Sequence, residues 1–188
     1  GYSVGTDSSG NAYVTGIFYG SSVSFGNITL TSLSWADIFV AKLDPNGNWL
    51  WVVRAGGEGG SNNQGTAIAV DTMGNSYITG RFIDQNWDSD NGEWGPGDGA
   101  DFGNTTLSSS GSGEIFVAKL DTNGNWLWAE RAGGSSDDAG YDITVDSAGD
   151  AYVIGNFVES ADFGNTSLTG LNLDIFVAKI DSNGNWLW

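Results

Sequence analysis

The chain contains no cysteine and no histidine. Without cysteine there is no disulfide framework and no thiolate metal site. Without histidine the chain lacks the commonest general base, the commonest transition-metal ligand and the usual pH switch. Basic residues are scarce too: 6 Lys and Arg stand against 23 Asp and Glu, a formal net charge of −17. Nucleic acids and anionic lipids are recognised by clustered Lys and Arg, so neither is expected as a partner. No stretch is long and apolar enough for a transmembrane helix, so no membrane insertion is expected. No secretory leader is visible at the start, which is Gly1. Only 2 Pro occur. What the chain has in quantity is 30 Gly and 9 Trp, with most of its acid as Asp, the composition of a turn-rich all-β protein. Its 188 residues suffice for one core or for a short repeat array.

The array reading wins. Asn-Gly-Asn-Trp-Leu-Trp occurs at Asn46–Trp51, Asn123–Trp128 and Asn183–Trp188. Ile-Phe-Val-Ala-Lys occurs at Ile38–Lys42, Ile115–Lys119 and Ile175–Lys179. Tyr13, Tyr77 and Tyr152 each open a Tyr-Val/Ile-Thr/Ile-Gly element, and Gly1–Asp7, Gly65–Asp71 and Gly140–Asp146 open the copies. The second copy carries an insertion over 83–101; removing roughly 13 residues there restores a period near 60, the size of a large blade-type repeat. The copies are assigned to 1–64, 65–139 and 140–188.

Each copy predicts four strands. In the second these are Thr66–Val70, Ser76–Phe82, Ile115–Leu120 and Trp126–Arg131, joined by Asp-x-x-Gly-Asn turns that suit hairpins. The strands are apolar on both faces: Ile38 and Val40 point one way, Phe39, Ala41 and Leu43 the other. A sheet with one wet face would alternate apolar with polar, so these sheets need cover on both sides. Face-to-face stacking of four-stranded units around an axis supplies it.

The segments Ala12–Gly16, Phe25-Gly26, Asp37–Asp44 and Gly47–Trp51, with their counterparts in the other copies, resemble the bacterial and archaeal β-propeller repeat called SBBP. The opening of each copy is also similar to the first two strands of NHL-type blades. The resemblance covers essentially the whole chain except the insertion. It departs in the Asn that follows Phe-Gly and in the insertion itself. It implies tandem four-stranded antiparallel blades, three per chain, in secreted or cell-surface proteins with no catalytic residues to carry over.

Three blades do not close a propeller, which has four to eight. The first and last blades are therefore expected to leave a broad apolar face bare, and such faces mark interfaces. Completion by missing sequence or by another chain would cover them. A head-to-tail contact between copies would make a six-bladed ring from two chains or an open filament. Trp186 and Trp188 at one end, with Tyr2 and Val4 at the other, are the candidate interface residues. The paired Trp of each fourth strand are expected on one side of it, since side chains alternate.

The insertion carries Asp88, Asp90, Glu93 and Asp98, an incomplete oxygen-ligand pattern that would suit Ca²⁺; the competing reading is a solvated acidic loop. Trp87 and Trp94 there would stack on a sugar in a glycan-binding protein, or pack over the blade edge. Cell-surface glycans and proteins are therefore the further candidate partners. Asn27, Asn104 and Asn165 sit in acceptor sequons at equivalent positions, and also fit turn positions after Phe-Gly. Asp37, Glu114 and Asp174 with Arg54 and Arg131 are expected as surface ion pairs, worth about 0–1 kcal/mol each. No acid pair stands out for glycoside hydrolysis. The leading expectation is a non-enzymatic extracellular or cell-surface module that associates with itself.

Overall fold

The computed structural model describes the chain apart from residues 84, 89–92, 98, 110 and 111, and at 59–61, 85–88, 93, 94 and 96 it describes backbone alone. The described residues form an all-β protein. The first sheet is antiparallel in chain order: Ser3–Thr6, Ala12–Tyr19, Ser34–Leu43 and Trp49–Ala55, with Gly59–Asn62 adding a short parallel strand beside Ser34–Leu43. The second repeats the order with Gln64–Val70, Ser76–Phe82, Glu114–Leu120 and Trp126–Ala132. The third has Ala139–Val145, Ala151–Phe163 and Thr166–Ile180. Its expected fourth strand is reduced to a bridge from Trp186 to Ile180 and a bond from the Leu187 N–H to the Lys179 carbonyl at 2.8 Å.

The hairpins follow from turn chemistry. In Asp44–Asn48 the Asp44 carboxylate accepts the N–H groups of Asn46 and Asn48 and the Asn48 amide, and Gly47 takes φ 83°. A type I turn closed by one left-handed residue matches the twist of the flanking strands. The hydrogen bonds to Asn48 and Asn46 hold the Asp44 carboxyl below its usual range, so this acid is committed to its turn. Asp121 and Asp181 make the same bonds.

A second hairpin folds over each sheet. It is Ser22–Phe25 with Ile28–Thr31 in the first copy and Ala100–Phe102 with Thr105–Leu107 in the second. In the third it is continuous with the long strands, from Ser160–Phe163 paired to Thr166–Thr169. Its Phe-Gly-Asn turn needs glycine twice over. Gly103 has φ 66°, and a Cβ there would lie 2.8 Å from Cδ1 of Trp126. Within the insertion, Gln85–Asp88 pairs with Glu93–Pro96, Trp87 opposite Trp94.

The sheets stack. One cluster joins Tyr13, Ile38 and Val40 of the first sheet to Ile68, Ile78, Phe116 and Ala118 of the second. Another joins Tyr77, Ile115 and Val117 to Ile143, Val153, Phe176 and Ala178. Phe39, Ala41 and Val52, on the other side of the first sheet, are buried with Phe25, Leu30 and Trp49. That side was expected to be broadly bare. The copy's own hairpin already covers the middle of it, while Tyr2 and Val4 stand open.

The Trp pairs also depart from expectation. Trp51 lies opposite Lys42 and Trp49 opposite Leu43, with a register shift between them that leaves Leu50 as an extra residue. This bulge turns the two indoles to opposite faces. Trp49 meets Phe25 at 5.1 Å, whereas Trp51 meets Tyr13 at 6.0 Å. Trp186 accordingly packs on Phe163 beside the second sheet, away from the open face; Trp188 alone of that pair reaches it. The ion pairs Arg54–Asp37 (3.2 Å) and Arg131–Glu114 (3.5 Å) do form, but both carboxylates are fully buried, so they are not surface pairs.

Candidate interaction face

Each joint between sheets is built from the same parts. At the first, the Thr15 hydroxyl donates to the Phe39 carbonyl and the Gly65 backbone lies directly on it; a Cβ on Gly65 would fall 3.5 Å from that of Thr15. Thr79, donating to the Phe116 carbonyl, receives Gly140 in the same way. Tyr13 donates its hydroxyl to the Gly74 carbonyl at 2.9 Å, and Tyr77 to the Gly149 carbonyl at 2.9 Å. The Trp51 indole donates to the Thr122 carbonyl at 3.0 Å, with Lys42 converging on the same oxygen. Trp128 and Lys119 converge on the Ser182 carbonyl. The lysine ammonium also caps the tyrosine ring, at 4.7 Å in both joints.

Burial tunes these groups. The Tyr13 hydroxyl is pushed well above its ordinary range by desolvation and then by the Asp7 charge, and Tyr77 likewise by burial and Asp71. Both stay protonated and able to donate. Lys119 is lowered by burial, against the pull of Asp71 and Asp181. Asp138, buried in the second joint, is raised by desolvation although it accepts the N–H groups of Val158 and Gly134.

The third sheet carries the same Tyr, Trp and Lys, and its strand residues on that side are open to solvent. Ile175 is 84% and Val177 55% exposed, where Ile38, Val40, Ile115 and Val117 are at 0%. Tyr141, Ile154, Leu173, Ile175 and Val177 line an apolar groove of about 470 Å³. Beside it, Tyr152 and Trp188 keep the ring contact seen in the joints (6.2 Å), and Lys179 lies 4.9 Å over the Tyr152 ring. The Tyr152 hydroxyl bonds Asp146 and meets Lys179, both within its own sheet, and reaches no turn carbonyl of a following sheet among the described residues. Lys179 donates to Asp150 at 2.8 Å, and that bond holds its ammonium well above the usual range.

Of the residues singled out in the sequence, Tyr2 and Val4 line a separate shallow groove with Gly1, Ser3 and Val14. Asn27, Asn104 and Asn165 are exposed at equivalent hairpin tips. Asp90 and Asp98 lie outside the described residues, as do the side chains of Asp88, Glu93, Trp87 and Trp94. Among the described residues no group of three or more acidic side chains is gathered to hold a metal ion. The groove residues Tyr141, Ile154 and Leu173 escaped sequence reasoning. Their signal was departure from the repeat: Ile154 stands where Thr15 and Thr79 stand, and Leu173 where Ala36 and Gly113 stand.

Stacked four-stranded meanders with repeating joints are the geometry of a propeller. Residues 127–156 match the SBBP β-propeller repeat. The matched SBBP repeat spans the second joint, from the fourth strand of one sheet to the second strand of the next. An uncharacterized WD repeat-containing protein of Acanthamoeba polyphaga mimivirus is 29% identical over 116 residues, 60% of this chain and 8% of that protein. The chain thus spans a small part of that relative. A solved protein of unknown function from Bacteroides caccae aligns over 100% of this chain and 80% of its own, at 11% identity and a TM-score of 0.32, a likeness that carries no argument about fold.

Proposed function

We propose that the chain is a non-enzymatic interaction module of three propeller blades, extracellular or at the cell surface, that associates with itself through blade faces. One observation carries this reading: Ile175 and Val177 are open where their counterparts in both other sheets are fully buried. Covering side chains of this size stabilises by about 1.5–3 kcal/mol each. An open apolar face of this kind on a folded chain is characteristic of an interaction surface. The repeat and the WD-repeat relative favour an interaction module in general.

Two chains would give six blades in a closed ring; a filament is the open form of the same contact. Mass measurement by light scattering tests this. The expected result is twice the 19.7 kDa chain mass, or a growing series of multiples for the filament. A folded species that keeps the single-chain mass at high concentration would contradict it. Each chain carries −17, so association is expected to strengthen as salt screens the repulsion.

A further inference from the structure

Both internal joints use one register. The first strand of the following sheet lies across the preceding sheet, its glycine on the central Thr, while two backbone carbonyls from hairpin turns take the Tyr hydroxyl and the Trp indole with its Lys. The third sheet displays the Tyr, Trp and Lys already stacked together. The first copy displays the matching acceptors, exposed at its turns: Gly10 corresponds to Gly74 and Gly149, and Pro45 to Thr122 and Ser182.

The side chains of the two end faces also differ from those of the internal joints. The open face is bulkier than its counterparts, with Ile154 for Thr15 and Thr79 and Tyr141 for Thr66. The first strand is smaller than the strands that fill the internal joints at Val4, and has Tyr2 where Thr66 and Tyr141 stand. Val4 stands for Ile68 and Ile143, while Val14 on the neighbouring strand stands for Ile78 of the first joint and Val153 of the second.

We infer that the occupant of the open face is the first sheet of a second copy of this chain, seated in the register of the internal joints. Gly1 lies on Ile154, the Gly10 carbonyl accepts from the Tyr152 hydroxyl, and the Pro45 carbonyl accepts from Trp188 and Lys179. This assignment rests on the reading of the face as a self-association surface.

The absence of cysteine makes a cross-linking test clean. Gly1→Cys and Ile154→Cys are made in separate chains, mixed and oxidised. The Cβ separation at the equivalent Gly65 and Thr15 is 3.5 Å, within disulfide range. Gly65→Cys with Thr15→Cys in one chain is the internal reference and should close intramolecularly. The expected result is that most of the monomer band shifts to twice the chain mass in the mixture and in neither variant alone. Cross-linking of Ile154→Cys with itself would show two third sheets meeting face to face and overturn the assignment. Unmodified chains that associate while the mixture fails to cross-link would overturn the register and leave the self-association reading standing. A monomer throughout would overturn both.

Discussion

Ile115 and Val117 of the second sheet and Ile175 and Val177 of the third occupy the same places in the same repeat, yet the first two are sealed and the last two face solvent. The backbones beneath them are alike: antiparallel strands, the same turns, the same Tyr–Trp contact at 6.1 and 6.2 Å. Local turn chemistry and the buried side of the sheet, where Phe176 and Ala178 pack on the second sheet, are enough to hold the third sheet together. On the open side the Tyr152, Trp188 and Lys179 contacts are made, but the apolar side chains of Ile175 and Val177 lack the cover that seals the internal joints. An apolar face is thus a property of the joint, and the end sheet carries half of one.

The comparison is broken most forcefully by charge. Val117→Asp places a carboxylate in the sealed joint and should cost about 3–5 kcal/mol, read in chemical denaturation. Val177→Asp should change the stability of the dilute chain by less than about 0.5 kcal/mol while abolishing self-association. Equal losses at the two sites would mean that the open face is already packed. A milder pair is Trp128→Phe, which should cost about 0.5–1.5 kcal/mol by leaving the Ser182 carbonyl one donor short, against Trp188→Phe, which should leave the dilute chain unchanged.

A third contrast sets the first sheet against the third. Gly20 takes φ 84°, and Glu159 is held at φ 65° in the equivalent position. Glu159→Gly should raise the melting midpoint, by a stabilisation of about 1 kcal/mol, as the left-handed strain is removed.

The fourth contrast sets the two joints against each other through pH. Asp138 stands in the second joint where Asn63 stands in the first. Burial raises its pKa in the folded state, so its neutral form is favoured there. Stability from this group is complete below the ordinary value of 3.8 and is lost as pH rises through the folded pKa. Asp138→Asn should remove that fall from a stability–pH profile. An unchanged profile would mean the carboxyl is not desolvated.

Much of this architecture was legible in the chain. The Asp-x-x-Gly-Asn and Phe-Gly-Asn turns are local chemistry, and the doubly apolar Ile-Phe-Val-Ala-Lys strand called for cover on both sides. The facing of the indoles was not legible, because alternation assumes an unbroken strand and a bulge at Leu50 breaks it. Nor was the burial of Asp37 and Glu114, since the sequence places them just before a strand without saying what covers that end. The first sheet's cover was hidden for the same reason: Phe25 and Leu30 read as a connection, and only the fold lays them on Phe39. Of the residues that line or flank the groove on the third sheet, sequence reasoning singles out Trp188 alone as an interface candidate. The groove itself depends on three strands converging.

Hydroxyl-radical footprinting of the side chains across a concentration series tests the central claim most directly. Leu173, Ile175 and Val177 should be labelled freely in dilute protein and become protected together with Val4 as concentration rises, while Ile115 and Val117 stay protected throughout. Labelling of Ile175 and Val177 that does not change with concentration would contradict the account.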